Sequence, residues 1–304
     1  IMPSFNFVSS ANAVVLREAT PVFAEVSPDT LNVDVEDVAR KITPRTKAIV
    51  PVHYAGVSCD MDALLSLAEE HNLYVVEDAA QGVDAYYEGQ PLGTMADIGC
   101  YSFHETKNIT CGEGGAFLTN SDEIARKAEL VREKGTNRSA FIRGEVDRYT
   151  WVSEGSSYIQ SDVLAAILEK QLEKRDEIKA RRQTVWQAYW DALAPLAEDD
   201  VLTLPHVPEG CNSNYHIFFI RLPTPALRNQ VLDALKDHGI NATFHYIPLH
   251  DSPFGQEYLD DEVALPVTKR CSNTLIRLPL HPELAASAEE TAKRTAQIID
   301  THAR

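Results

Sequence analysis

Short apolar runs alternate with amphipathic helical patterns up to about residue 135. Apolar runs predict strands, and apolar positions spaced three and four apart predict helices. The predicted strands are 21–26, 48–54, 73–77, 97–103 and 115–119, and the predicted helices are 34–41, 61–71 and one that follows a capping box at 120–123 and runs to residue 133. This repetition indicates an α/β fold with a mostly parallel sheet that is covered on both faces.

The pattern changes in the second half of the chain. Residues 136–150 contain several arginines and predict a loop, and apolar residues at helical spacing predict one long helix within 161–197. Beyond a boundary at 205–210 we predict a small α+β domain with strands at 215–222, 240–246 and 275–280, a helix at 226–238 that Gly239 closes, and a last helix after a capping box at 287–290. The predicted organisation is a large domain at 1–160, a linker helix at 161–204 and a small domain at 205–304.

The first residues have the pattern of the middle of a strand. No helix or polar leader precedes residues 1–8, and the methionine stands second. We therefore expect the sequence to begin inside a fold, with an N-terminal segment absent.

The charge and the cysteines narrow the range of functions. The net charge of −17 argues against a general nucleic-acid or anionic-membrane binder, although basic residues that cluster locally can still bind a small anion. The five cysteines are scattered and form no CxxC pair, so they predict no disulfide framework, no zinc site and a reducing cytoplasm. No apolar run approaches the length that spans a membrane, and no signal peptide is recognisable.

Two residues that follow predicted strands carry the candidate chemistry. Asp78 follows the strand at 73–77, and Lys107 follows the strand at 97–103. Because ligands of parallel sheets bind beyond the carboxyl ends of the strands, these two side chains can converge. A desolvated lysine favours its neutral, nucleophilic amine, and an aspartate can hold the proton of a pyridinium ring, so the pair indicates pyridoxal 5′-phosphate (PLP) chemistry. The alternatives are a solvated lysine and an aspartate that caps the following turn.

Six motifs in a fixed order resemble those of the DegT/DnrJ/EryC1/StrS family of PLP-dependent sugar aminotransferases. They are PSFNFV at 3–8, PVHYAG at 51–56, EDAAQ at 77–81, SFHETK at 102–107, GEGG at 112–115 and HYIPLH at 245–250. The resemblance covers essentially the whole chain. It implies the aspartate-aminotransferase-like fold (fold type I) and a homodimer with shared active sites.

The resemblance also implies a reaction. The amino group of L-glutamate would be transferred to C4 of a nucleotide-linked 4-keto-6-deoxy sugar, dTDP-4-dehydro-6-deoxy-D-glucose, in polysaccharide biosynthesis such as that of enterobacterial common antigen. One alternative is a PLP-dependent sugar dehydratase of the same fold, but those relatives replace the catalytic lysine with histidine, and this chain has Lys107. Another is an inactive, truncated relative.

Carried over residue by residue, the family implies roles for the candidate site. Lys107 would attach PLP and move the proton, and Asp78 would bind the pyridine nitrogen. The other implied cofactor-binding residues are Phe7 and Ala80 on the two ring faces, Gln81 near the ring hydroxyl, Ser102 on the phosphate, and Ser157. His104 is added because it is close to Lys107 in the sequence and can touch PLP or the substrate. Phe7 has a plain core residue as its alternative reading, and Ser102 an ordinary hydroxyl at a strand end.

Substrate contacts are predicted from a basic segment and from the HYIPLH motif. Among the arginines of 132–148, Arg138 is the candidate for the diphosphate of the nucleotide sugar, with a solvated basic loop as the alternative. His245 and Tyr246 would line the site from the small domain. His245 and His250 have no evident third ligand, so we predict no metal site.

Two departures from the family pattern concern the phosphate of PLP. The family's phosphate-binding loop precedes the segment where this sequence begins. Ser157 stands where many relatives have an asparagine that reaches the phosphate of the neighbouring subunit. Serine keeps a hydrogen-bond donor but is shorter.

Overall fold

A computed structural model describes residues 1–259 and 264–303 of the chain. The strands are β1 Met2–Pro3, β2 Phe23–Ala24, β3 Ala48–Ile49, β4 Tyr74–Asp78, β5 Tyr86–Tyr87, β6 Gln90–Pro91, β7 Ile98–Ser102, β8 Gly115–Leu118, β9 Cys211–Asn212, β10 Phe218–Arg221 and β11 Leu275–Leu278. The helices are α1 Val8–Val15, α2 Val35–Lys41, α3 Met61–His71, α4 Asp122–Arg132, α5 Arg138–Ile142, α6 Asp162–Glu173, α7 Arg175–Glu198, α8 Pro225–Asp237, α9 Pro266–Thr274 and α10 Ala288–Ala303.

The main sheet has the strand order β3-β4-β7-β8. The first three strands are parallel, and β8 pairs with β7 in the antiparallel direction. The predicted α/β fold with a mostly parallel sheet is therefore confirmed. In the register, Asp78 of β4 lies beside Cys100 of β7, so the carboxyl ends of both strands reach the same edge of the sheet.

Glu77 fixes β4 against the segment that leads into β7. Its side chain is fully buried and accepts hydrogen bonds from the backbone N–H groups of Gly93, Met95 and Ala96 at 2.7, 2.8 and 2.8 Å. Gly99 of β7 faces this turn so closely that a Cβ atom there would lie 1.9 Å from the carbonyl oxygen of Gly93. This turn therefore packs directly against β7 and is hydrogen-bonded to β4. It holds the two strands together next to the sheet edge where β4 ends at Asp78.

A second core forms around α7 and the C-terminal third of the chain. The strands β10 and β11 are antiparallel, and their buried residues pack with those of α7, α8 and α10. The predicted linker helix is divided into two helices, α6 and α7. Lys174 separates them, and its φ of −98° and ψ of 8° interrupt the helical backbone. Tyr189 and Leu193 of α7 are fully buried in this second core, so α7 packs with the C-terminal elements. The predicted domain boundaries themselves stay a prediction.

The structure corrects several predicted elements. The predicted strand 48–54 is only β3 and then turns into a short 3-10 helix, Tyr54–Gly56, where Gly56 has a φ of +74°. The predicted strand 240–246 is absent apart from one bridge between Thr243 and Arg277. The helices α1 and α9 were not predicted, and α5 lies in the predicted loop 136–150.

The predicted capping boxes had mixed outcomes. Ser121 caps α4, with its side chain accepting a hydrogen bond from the backbone of Ile124 at 3.3 Å. The last helix, α10, begins directly after a 3-10 helix, Pro282–Ser287. The helix α10 therefore continues from this 3-10 helix. Ser287, the predicted capping residue, is the last residue of the 3-10 helix.

Candidate active site

A cavity of about 1490 Å³ lies where the carboxyl ends of β4 and β7 meet the second core. Asp78 and Lys107 line it from the side of the main sheet, and His245, Tyr246 and Arg277 line it from the other side. The structure therefore brings together the two residues that the sequence analysis placed at strand ends.

Lys107 lies in the loop that connects β7 to β8, the strand that pairs with β7. The backbone N–H of Lys107 donates to the carbonyl of His104 at 2.9 Å, and Phe103 bonds through its backbone to Gly114 and Cys111. The side chain of the next residue, Asn108, donates to the carbonyl of Val83 at 3.0 Å. These bonds fix both ends of the turn, so the amine of Lys107 is presented at the cavity wall.

The environment of Lys107 lowers the pKa of its amine. Burial lowers the pKa of Lys107, Asp78 raises it, Arg277 lowers it further, and the net effect is a pKa below the ordinary value. A neutral amine is a nucleophile, whereas an ammonium is not. The predicted desolvation of Lys107 therefore has a physical basis in this cavity.

Both oxygens of Asp78 are oriented by neighbouring groups. The hydroxyl of Ser10 in α1 donates a short hydrogen bond to Oδ2, and the backbone N–H of Ala80 donates to Oδ1 at 3.2 Å. Each carboxylate oxygen can accept more than one hydrogen bond, so Asp78 keeps accepting capacity toward the cavity. The structure thus combines the predicted site carboxylate with the alternative reading, since Asp78 also orders the turn that follows it.

Gln81 connects the two sides of the cavity. Its Oε1 accepts from the backbone N–H of Ala55 at 2.7 Å, and its Nε2 donates to the hydroxyl of Tyr246 at 3.1 Å. From the C-terminal part, the side chain of Asn214 donates to the carbonyls of Gln81 and Val83 at 2.7 and 2.8 Å. The segment after Asp78 is therefore fixed by contacts from both halves of the molecule.

His245 and Tyr246 are neutral side chains. The hydroxyl of Tyr54 lies 3.0 Å from Nδ1 of His245. Burial, followed by the charges of Arg277 and Lys107, lowers the pKa of His245 to about 3. Burial is also the main reason that the pKa of Tyr246 rises to about 12. At neutral pH this wall therefore offers hydrogen-bonding groups without a negative charge.

The remaining predicted cofactor contacts lie around the same cavity, apart from one. Phe7 is 57% exposed, so it is not the plain core residue that was its alternative reading. The cavity is also lined by Ala80, Gln81, Ser102 and His104. A flat aromatic face, a hydroxyl and a small side chain thus surround the pair Asp78 and Lys107.

Two predicted site residues do not line this cavity within one chain. Arg138 is exposed, and its guanidinium lies 3.2 Å from the carboxylate of Glu133. Ser157 is exposed and forms a backbone bridge with the same Glu133. Because Ser157 was predicted to reach a neighbouring subunit, its role stays a prediction, as does that of Arg138.

Several residues of the cavity lining were not singled out by the sequence analysis, among them Ser10, Arg277 and His216. Ser10 lies on α1, whose helical pattern went unrecognised, while Arg277 and His216 lie in or beside strands of the C-terminal part. The one signal for Arg277 is its position as a single charge within the apolar run 275–278. Only the three-dimensional structure, in which they line the same cavity as Asp78 and Lys107, reveals these residues.

Comparison with known proteins agrees with the motifs. Residues 1–299 match the DegT/DnrJ/EryC1/StrS aminotransferase family. The aminotransferase TlmJ from Streptoalloteichus hindustanus is 32% identical and superimposes with a TM-score of 0.89, over 99% of this chain and 78% of that one. These similarities confirm the predicted fold type I architecture.

Other solved structures share the architecture at lower identity. Helicobacter pylori PseC, an aminotransferase involved in the biosynthesis of pseudoaminic acid, is 26% identical with a TM-score of 0.89, over 99% of this chain and 78% of that one. The synthase of 3-amino-5-hydroxybenzoic acid is 29% identical with a TM-score of 0.88, over 99% and 79%. In the part of the chain that the structure describes, no helix is long and apolar enough to cross a membrane.

Proposed function

Since the chain belongs to the DegT/DnrJ/EryC1/StrS aminotransferase family, we propose that it transfers the amino group of L-glutamate to C4 of dTDP-4-dehydro-6-deoxy-D-glucose. The family and its solved relatives support a PLP-dependent sugar aminotransferase. The glutamate donor and the particular nucleotide sugar are our proposal, which amounts to a dTDP-4-amino-4,6-dideoxygalactose transaminase. It rests above all on the meeting of Asp78 and Lys107 in one cavity.

The residues around the cavity fit PLP, which is the cofactor of the family. Lys107 provides an amine whose pKa is lowered, and Asp78 provides a carboxylate with accepting capacity for a ring N–H. The buried side-chain amide nitrogen of Asn6, at the cavity wall, has no hydrogen-bond partner among the described residues, which is typical of a polar site built for a ligand. When bound, PLP supplies an electrophilic carbonyl and a ring that accepts an electron pair.

Each side chain can then be given a task. We propose that Asp78 binds the ring nitrogen and keeps it protonated, and that the amine of Lys107 attaches the cofactor and carries a proton to and from the substrate carbon. Phe7 and Ala80 would pack on opposite ring faces. The phosphate would be bound by Ser102, with His104 beside it and Ser157 reaching it from a neighbouring subunit.

The substrate contacts of this proposal lie on the far side of the cavity. His245 and Tyr246 would form hydrogen bonds with the sugar, because both are neutral at physiological pH and each has one hydrogen to donate, the imidazole on a ring nitrogen and the phenol on its oxygen. Arg138 would bind the diphosphate across a subunit boundary. Loss of affinity for the nucleotide in Arg138→Ala, with unchanged PLP content, is the expected result for a diphosphate contact; unchanged affinity would exclude it.

We further propose a homodimer that works in the cytoplasm. Support for an interface comes from large apolar side chains on the surface, such as Trp151 and Val163, which are 76% and 72% exposed. A contiguous apolar surface marks a site that binds another protein, and we propose that these side chains belong to such a surface. Sedimentation of the purified chain, compared with Trp151→Glu, Val163→Glu, tests whether this surface joins two copies.

The function is tested by mixing the purified chain with PLP, L-glutamate and dTDP-4-dehydro-6-deoxy-D-glucose. Mass spectrometry should detect an aminated nucleotide sugar and 2-oxoglutarate in equal amounts. Reduction of the PLP-loaded protein with borohydride should attach a pyridoxyl group to Lys107 in the tryptic map. Lys127 is an exposed lysine of α4 that does not belong to the cavity lining, so Lys127→Ala is the matched control for Lys107→Ala.

The result separates this function from its competitors. Loss of oxygen from the sugar without incorporation of nitrogen would indicate a dehydratase. Amination of a different ketone with no turnover of the dTDP sugar would keep the aminotransferase and replace its substrate. Other ketones must be tested because the similar structures include a synthase of 3-amino-5-hydroxybenzoic acid.

A further inference from the structure

A buried tyrosine hydroxyl lies directly behind the cavity wall. Tyr54 is 1% exposed, and its ring packs against Phe5 and Phe219, with ring centroids 5.1 and 5.6 Å away. Its backbone N–H donates to Oδ1 of Asn32 at 2.9 Å, which fixes the residue from the main-chain side. Among the described residues, the hydroxyl has one hydrogen-bond partner, Nδ1 of His245 at 3.0 Å. The hydroxyl is therefore held in place against the imidazole.

The direction of this hydrogen bond follows from the protons on the two groups. Burial is the main reason that the pKa of Tyr54 lies well above its ordinary value, so the hydroxyl keeps its proton at neutral pH. Burial also lowers the pKa of His245 to about 3, so the imidazole is neutral and carries a single N–H. If that hydrogen were on Nδ1, the hydroxyl proton would be buried without an acceptor, which is costly. The hydroxyl therefore donates to Nδ1, and the imidazole hydrogen is on Nε2.

The Nε2–H group of His245 has no partner in the part of the chain that the structure describes. His245 lines the cavity, and its one hydrogen bond is that with Tyr54. Its ring packs on the ring of Tyr246 with centroids 3.6 Å apart, a contact that restricts rotation of the imidazole. The charge of Lys107 contributes to the low pKa of His245, so the two side chains are neighbours. A fixed, uncharged N–H donor is thus available near the reacting amine.

An uncharged donor suits an uncharged oxygen. The cavity lining also contains Arg17, Arg45 and Arg277, whose guanidinium groups suit carboxylates and phosphates. Glutamate at neutral pH carries an ammonium group and two carboxylates, and it has no uncharged oxygen. A keto sugar has a carbonyl oxygen, which only accepts hydrogen bonds, and hydroxyl oxygens, which can accept them. The Nε2–H group of His245 therefore fits the sugar better than the amino donor.

We propose that Tyr54 is a positioning residue that sets the tautomer of His245, so that Nε2 donates a hydrogen bond to an uncharged oxygen of the sugar. This inference rests on the aminotransferase function proposed above. Tyr54 is not part of the cavity lining, so its hydroxyl acts through the imidazole. Without that hydroxyl the imidazole can carry its hydrogen on either nitrogen. A fraction of the molecules would then present a lone pair to an oxygen that also has only lone pairs.

The experiment reads the tautomer directly and the reaction separately. Tyr54→Phe removes the hydroxyl and keeps the ring. Tyr189→Phe is the matched control, because Tyr189 is equally buried and its hydroxyl donates to the carbonyl of Pro279 at 3.1 Å, away from the cavity lining. In PLP-loaded protein with nitrogen-15-labelled histidine, NMR shows which ring nitrogen of His245 carries the hydrogen. The signals of His245 are identified by their loss in His245→Gln.

The two halves of the reaction are followed by absorbance in single turnovers. In the first half, glutamate transfers its amine to the PLP-loaded protein. In the second half, the aminated cofactor transfers that amine to dTDP-4-dehydro-6-deoxy-D-glucose. Only the second half contains the sugar, so a residue that acts on the sugar oxygen should affect this half alone.

We expect the hydrogen on Nε2 in the native protein and a mixture of tautomers in Tyr54→Phe. The second-order rate constant of the sugar half should fall about tenfold in Tyr54→Phe, the loss usual for one hydrogen bond, while the glutamate half stays within about twofold. Tyr189→Phe should leave both halves unchanged. In His245→Gln the amide nitrogen donates without any choice of tautomer, so adding Tyr54→Phe should cost no more than about twofold.

Several results would overturn the inference. A hydrogen on Nδ1 in the native protein, or the same single tautomer in the native protein and in Tyr54→Phe, excludes the role of Tyr54 whatever the activity. Equal losses in both halves of the reaction, or a full loss when Tyr54→Phe is added to His245→Gln, would show a merely structural effect. A native protein with the hydrogen on Nε2 that aminates no dTDP sugar refutes the proposed sugar and its contact with His245, and the tautomer assignment stands.

Discussion

Two neighbouring carboxylates at the end of β4 serve opposite purposes. Glu77 is completely buried, and its carboxylate oxygens are hydrogen-bonded to His53 at 2.9 Å and to three backbone N–H groups. Asp78, the next residue, lies at the cavity, where Ser10 and Ala80 orient it. Successive side chains of a strand point to opposite faces, so one residue of register separates the two environments.

The difference shows how a strand end can be both anchored and reactive. Burial alone would raise the pKa of Glu77, but hydrogen bonds from His53, Ala96 and Gly93 outweigh burial and hold it below the usual range. The Nδ1 atom of His53 accepts from the backbone of Cys59 at 3.1 Å, so its other nitrogen carries the proton toward Glu77. Glu77 thus has no capacity left for a ligand, whereas Asp78 has.

The largest effect expected from breaking this contrast is on catalysis. Asp78→Asn keeps the size and the hydrogen bond from Ala80 but removes the charge proposed to hold a ring proton. We expect kcat/KM to fall by about 10³-fold, as when a charge-stabilising group is lost, with little change in unfolding free energy. The absorbance spectrum of the PLP-loaded variant across pH should shift as well. Retained activity and an unchanged spectrum would contradict the assignment of Asp78.

Glu77→Gln should do the reverse. The amide replaces one accepting oxygen with a donor that faces backbone N–H groups, so a buried network is broken. We expect the free energy of unfolding in urea to fall by about 3 kcal/mol. In the protein that remains folded, PLP affinity should change little. A catalytic defect without any loss of stability would show that Glu77 belongs to the reacting site.

The next effect in size is a loss of folding stability at acidic pH, which arises from two histidines of the cavity wall. His216 and His245 have folded-state pKa values below the 6.5 of a free histidine, so the unfolded chain binds protons first as pH falls. Stability is therefore highest well above pH 6.5 and declines as the pH falls, by about 1.6 kcal/mol for His245 between pH 6.5 and 5 and in the same direction for His216. Urea unfolding at both pH values measures this. His245→Gln should flatten the decline, and an equally steep decline in that variant would exclude His245 as a source.

The smallest expected effect is that of Ser10. Ser10→Ala removes one hydrogen bond to the Asp78 carboxylate, and we expect kcat/KM to fall about tenfold. The pH at which the absorbance of bound PLP changes should move, because Asp78 loses an orienting donor. Ser10→Thr keeps the hydroxyl and serves as the matched variant. If alanine and threonine behave alike, Ser10 has no influence through Asp78.

The sequence was sufficient for the sheet and for the central pair of the site. Asp78 and Lys107 could be placed because parallel strands deliver their carboxyl ends to one edge, and this depends only on local pattern and connection. Family resemblance added Phe7, Ala80, Gln81 and Ser102, and closeness to Lys107 in the sequence added His104; all five line the cavity. Their individual roles toward PLP stay predictions.

What the sequence could not supply depends on long-range contacts. The chain turns after β3 at Gly56, whose missing Cβ would lie 1.9 Å from Oδ1 of Asn214, a residue far along the sequence. Residues 240–246 have a strand-like apolar pattern, but there the chain turns His245 and Tyr246 toward the cavity. Arg277 stands out only once β11 is placed opposite Lys107. The local pattern of apolar residues contains no information about such contacts between distant parts of the chain.

The hydrogen bonds that tie the first residues to the HYIPLH motif have a consequence for synthesis. Ser4 bonds through its hydroxyl to His250 at 2.6 Å, across 246 positions of the chain. At a usual ribosomal rate of roughly 5–20 residues per second, Ser4 waits on the order of 10 to 50 s for this partner. Phe5 and Tyr54 also wait for Phe219 and Leu275, which share their core and are synthesised much later in the chain. The nascent chain therefore exposes apolar side chains of its active-site region until the C-terminal part has been synthesised.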